Sequence, residues 1–99
     1  MPEQTVLVWI ESGAGRIVRG QADAIGSEGV RVRFTGEPDF APGDEVAVRV
    51  GLDRGARTVA STARVDQLGA GGDAVECDLR WTPTAEQRAA LDAWLVHAA

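Results

Sequence analysis

Through most of this sequence apolar and polar positions alternate with a period of two, and only the last segment changes to a period near 3.6. The clearest alternation is VRVRF at 30–34, which sends Val30, Val32 and Phe34 to one face and Arg31 and Arg33 to the other, as a half-buried strand does. EVAVRVGL at 45–52 repeats it with Val46, Val48, Val50 and Leu52 inward. AVECDLRW at 74–81 sets Val75, Cys77, Leu79 and Trp81 against Glu76, Asp78 and Arg80. Residues 57–66 alternate less cleanly, through Val59, Ala63 and Val65. TVLVWI at 5–10 is apolar on both faces, Val6, Val8 and Ile10 on one and Leu7 and Trp9 on the other, which predicts a strand covered on two sides. RIVRGQADAI at 16–25 places Val18, Gly20, Ala22 and Ala24 on a small-residue face and Ile17, Arg19, Gln21, Asp23 and Ile25 on a mostly polar one.

Between these segments the chain is punctuated by ESGAG, GSEG, GEPDFAPGD, DRGA and LGAGGD, all rich in turn residues. Pro42-Gly43 suits the central positions of a type II turn, with proline fixing φ and glycine taking the positive φ. In TPTAEQRAALDAWLVHAA, residues Ala90, Leu91, Trp94, Leu95 and Ala98 form an apolar stripe at helical spacing. The helix starts either at a capping box of Thr84 with Gln87 or one turn earlier, with Thr82 as cap and Pro83 at the first helical position. The sum is all-β with a C-terminal helix: a small six-stranded antiparallel β-barrel, because closing the sheet removes exposed strand edges. One domain over 1–99 is expected, the barrel at about 5–81 and the helix at about 84–97.

Composition narrows the function. The chain has 99 residues, a net charge of −5 and a single cysteine, and no run approaches the roughly 20 apolar residues of a membrane-spanning helix. No secretory leader is visible at the N-terminus, so a cytoplasmic location is expected. Net acidity with five per cent aromatic residues argues against binding nucleic-acid polymers. Cys77 follows the buried phase of its strand and reads as core, and His97 lies near the end of the sequence with no patterned partner. No catalytic constellation, metal-ligand spacing or cofactor motif emerges, so a non-enzymatic protein without cofactor or metal is expected. The glycine clusters lack the strand-glycine-helix context of a dinucleotide fingerprint and the Lys-Ser or Lys-Thr of a phosphate loop, and read as turns.

Two groups of residues remain as candidate sites. Arg16 and Arg19 precede Arg31 and Arg33 by one hairpin, which could gather guanidinium groups able to hold a planar anion, or else pair them with nearby acids. Leu7 and Trp9 form the second apolar face of the first strand and call for a cover, either the C-terminal helix or a partner protein.

The order of these elements resembles the PilZ domain of bacterial cyclic-di-GMP signalling, a six-stranded barrel with a C-terminal helix. The resemblance covers about residues 6–95 and rests on GQADAIGSEGVRVRF, FAPGDEVAVRV and EQRAALDAWL. Members that bind cyclic-di-GMP carry an Arg-x-x-x-Arg segment before the first strand and an Asp/Asn-x-Ser-x-x-Gly turn. With Gly29 on the last glycine of that turn, Gly26 stands at the serine position and Ala24 at the acidic one, and MPEQT upstream holds no arginine. The resemblance implies a turn kept in shape, with Gly29 available for positive φ, but without the groups that grip nucleotide. It further implies an adaptor in motility, pilus or polarity systems that works through a protein partner. The alternative is a cyclic-di-GMP effector using Arg16, Arg19, Arg31 or Arg33, as a homodimer or with a partner supplying the missing arginines.

Overall fold

In the computed structural model, which describes residues 5–52, 58–71 and 73–98, six strands precede one helix. They are β1 (Val6–Glu11), β2 (Ile17–Ile25), β3 (Gly29–Phe34), β4 (Glu45–Leu52), β5 (Thr58–Gly71), β6 (Ala74–Trp81) and α1 (Ala85–Ala98). The strands close into a barrel in the order β1-β2-β3-β6-β5-β4, with β4 pairing back onto β1 and every pair antiparallel. Closure follows from the alternation. Each strand has an apolar face, and a ring turns all of these inward, where Val8, Ile10, Val32, Val48, Val50, Val65 and Cys77 are fully enclosed.

Connections complete the core. Phe40, in the link between β3 and β4, is buried with its ring centroid 6.0 Å from that of Phe34 at 53°, a contact the sequence reading did not anticipate. The Ser12 hydroxyl donates to Asp39 at 2.9 Å and ties the β1–β2 turn to that link. The expected type II turn is present: Gly43 has φ 95°, and the Asp44 N–H donates to the Ala41 carbonyl at 3.0 Å. At the other end of the chain the helix choice is resolved in favour of Thr84. Its hydroxyl accepts from the Gln87 N–H at 3.2 Å while the Gln87 side chain accepts from the Thr84 N–H at 3.0 Å. Thr82 is instead bonded to β5 through Thr62. Leu91 and Trp94 join the barrel core from α1, and Leu95 packs at its margin.

Three expectations are corrected. The register of β2 against β3 shifts between Ala22 and Ala24, so Asp23 bulges and the two faces exchange beyond it. Ala24 is therefore exposed and Ile25 packs against the core, the reverse of simple alternation. The glycine-rich LGAGGD is not a loop from its start, because β5 runs through it to Gly71 after a similar shift between Val65 and Gln67. Within β5, Ser61 occupies an inward position that looked irregular, and its hydroxyl is satisfied by the Thr62 carbonyl at 2.9 Å. Ala90 is exposed instead of lying in the buried stripe, since α1 turns Leu91, Trp94 and Leu95 to the barrel. The turn expected at DRGA, the leading MPEQ and the side chains of Leu52, His97 and Ala98 lie outside the described residues.

Candidate functional site

The β2–β3 turn is built by backbone bonds. The Gly26 carbonyl accepts from the Trp81 indole N–H at 2.9 Å, the Ser27 carbonyl from the Arg88 guanidinium at 2.7 Å, and the Glu28 carbonyl from the Trp81 backbone N–H at 3.0 Å. The Gly26 N–H donates to the Gly29 carbonyl at 3.0 Å. All three carbonyls between the strands are thus engaged by β6 and α1. Gly29 does not have the positive φ expected of it; among the described residues only Gly15, Gly36 and Gly43 do. Glycine is needed there for a different reason: a Cβ would fall on the Leu79 carbonyl oxygen of β6.

Beside this turn the outer wall of β2, β3, β6 and β5 is a lattice of opposite charges. Arg31 and Asp78 are cross-strand partners joined at 2.8 Å, Arg33 reaches the bulged Asp23 at 3.2 Å, and Arg80 reaches Asp66 at 3.3 Å. The hydrogen bond and charge of Asp78 raise the Arg31 pKa above the usual guanidinium value. A shallow recess of about 520 Å³ lies here, lined by Ala24, Gly26, Arg31, Asp66, Asp78 and Arg80. The hairpin does not collect the four arginines of the sequence reading. Arg31 and Arg33 are held by acids, while Arg19 lies roughly 15 Å along β2 from Ala24, with Arg16 just beyond the strand's start.

The wall on the other side of the barrel differs. In the ladder Trp9 is flanked by Arg19 of β2 and Arg49 of β4. Leu7 and Trp9 are half-buried, and Ile17 is 61% exposed. The outward positions of β4 and β5 next to Trp9 are small, among them Ala47 and Ala60, so the sheet surface dips between Trp9 and Gln87 of α1. The result is a largely apolar groove of about 390 Å³. α1 therefore borders this face without covering Trp9. The sequence reading missed Arg49, although its outward phase between Val48 and Val50 was visible; only the β1–β4 register reveals its neighbour.

Among the described residues no group of three or more His, Cys, Asp or Glu is placed to hold a metal ion, and no helix is long and apolar enough to cross a membrane. The Cys77 thiol is pushed up to about 12, by burial first and the Asp78 charge second, so it is protonated at neutral pH.

A closed antiparallel barrel of six strands with one C-terminal helix is a PilZ-like fold. No family model matches the sequence, and no curated protein does. Among solved structures the chain is similar to the Bacillus subtilis inhibitor of motility, MotI/DgrA, with a TM-score of 0.73 at 16% identity. The match covers 97% of this chain and 47% of that one, so this chain spans about half the length of its structural neighbour. At that identity the likeness establishes the fold.

Proposed function

We propose that this chain is a non-enzymatic PilZ-like regulatory module of bacterial signalling, working in the cytoplasm through protein–protein contact and without gripping cyclic-di-GMP. The observation that carries this reading is the β2–β3 turn. Ala24, Gly26 and Gly29 offer no polar side chain, and the turn's carbonyls are already bonded to Trp81 and Arg88. An anionic nucleotide approaching the adjoining recess also meets Asp66 and Asp78. Taking it through Arg16, Arg19, Arg31 and Arg33 would require breaking two ion pairs and spanning β2. The contact surface in this reading is the groove beside Leu7 and Trp9. The neighbour's name makes motility a fitting setting, alongside pili and polarity.

Calorimetry of the purified protein with cyclic-di-GMP tests this directly, with heats of dilution alone as the expected result. Micromolar binding that disappears in Arg31→Ala or Arg33→Ala would overturn it.

A further inference from the structure

Arginine is the sole basic type in this chain apart from His97, since the sequence contains no lysine. Among the described residues, Arg31, Arg33, Arg64, Arg80 and Arg88 each face a carboxylate within ion-pair distance. Arg16, Arg19 and Arg49 make no such pair among the described residues. All three lie on the side of the barrel that carries the Trp9 groove: Arg19 and Arg49 flank the indole in the ladder, and Arg16 adjoins Ile17. The carboxylate lining that groove is Glu11. A protein with net charge −5 thus sets guanidiniums that have no ion pair among the described residues around the half-buried Trp9 and the exposed Ile17.

From this juxtaposition we infer that the groove docks an acidic peptide segment of a partner protein, one with an apolar side chain set between carboxylates. This specifies the partner chemistry of the protein-contact reading above and rests on it. The apolar side chain fills the dip over Ala47 and Ala60 and packs on the Trp9 ring, while the carboxylates reach the guanidiniums of Arg19 and Arg49. The net charge of −5 opposes such a segment on the protein as a whole, and on the other walls the arginines are already paired with carboxylates, which favours this wall. Recognition is by side chains, because the closed ring leaves no strand edge for an added strand.

The test is an amide-shift titration of isotope-labelled protein with the peptide Glu-Glu-Leu-Phe-Glu-Glu and its counterpart with lysine for every glutamate. The glutamate peptide should move amides of β1, β4 and β5 around Trp9, and the lysine peptide should not. Arg19→Glu with Arg49→Glu, both exposed positions that leave the fold intact, should weaken binding roughly tenfold or more, and high salt should do the same. Equal binding of both peptides, no saturable shift, shifts centred on the β2–β3 turn, or concentration-dependent dimerisation that buries Trp9 would each overturn the inference. Capture from native extract separates the two readings. Partners lost with Trp9→Ala but retained by the charge-reversed variant leave protein contact standing and remove the acidic chemistry. Partners retained by both variants remove contact through this wall.

Discussion

The two outer walls of the barrel are made from the same alternating strands and the same cation, yet they have opposite characters. On the β3–β6 side an arginine such as Arg31 has Asp78 across the ladder and is neutralised at 2.8 Å. On the β1–β4 side Arg49 has Trp9 across the ladder and no ion pair among the described residues. Neither residue differs in type, exposure class or strand phase. What separates them is the residue that the register sets opposite, and this decides whether a guanidinium is consumed by the fold or offered to solvent. The paired wall matches its arginines with its own carboxylates, and the Trp9 wall leaves Arg19 and Arg49 without an ion pair among the described residues.

If that division holds, substitutions at the tightly packed backbone and turn contacts of the first side change stability, and exposed substitutions on the second change binding alone. The largest stability effect is expected for Gly29→Ala, whose new methyl group collides with the Leu79 carbonyl. Loss of about 3 kcal/mol or more follows from forcing β3 and β6 apart, a fall in Tm on the order of 15 °C for a domain of this size. Trp81→Phe keeps the ring but leaves the Gly26 carbonyl without its indole donor, at a cost of about 1–3 kcal/mol by chemical denaturation. A drop of similar size from Arg19→Glu would erase the distinction between the walls.

A third effect, confined to alkaline solution, is a pH dependence. The Cys77 pKa is raised in the folded state to about 12 from its ordinary 9.0, so the unfolded chain releases the proton first as pH rises. The stabilisation is complete below 9.0 and is lost progressively toward about 12, at no more than about 1.4 kcal/mol per pH unit. With no lysine and no tyrosine in the sequence, Cys77 is the side chain that titrates across this window. Cys77→Ala should flatten the curve there, while costing about 1–2 kcal/mol at neutral pH from the space it opens. Smallest of all is Arg31→Ala: its pair with Asp78 is solvent-exposed, and thermal melting should not resolve the change. The same melting experiment on Arg19→Glu with Arg49→Glu should be equally silent, while peptide binding is lost.

The fold was legible where one physical rule governed a whole segment. Strict alternation in β3, β4 and β6 and the helical stripe of α1 gave the elements, and the need to bury one face of each strand gave the barrel. Legibility stopped at features set by distant neighbours. The bulge at Asp23 exchanges Ala24 and Ile25, and the need for glycine at 29 comes from Leu79, fifty residues along the chain. Composition also misled in β5, where glycines that usually end strands sit in a paired one reaching Gly71. Of the candidate site, Leu7 and Trp9 were evident from an apolar second face. The flanking of Trp9 by Arg19 and Arg49 depends on two separate strand pairings and could not be read from any local pattern.

Valine-rich runs such as VAVRV in β4 have the composition of segments that stack into fibrils when their backbone is laid open. In the intact ring each such run has a neighbour on either flank. Fibril growth by this protein must therefore wait for the ring to rupture, and its lag time should follow the rate of global unfolding instead of any local fluctuation at a rim.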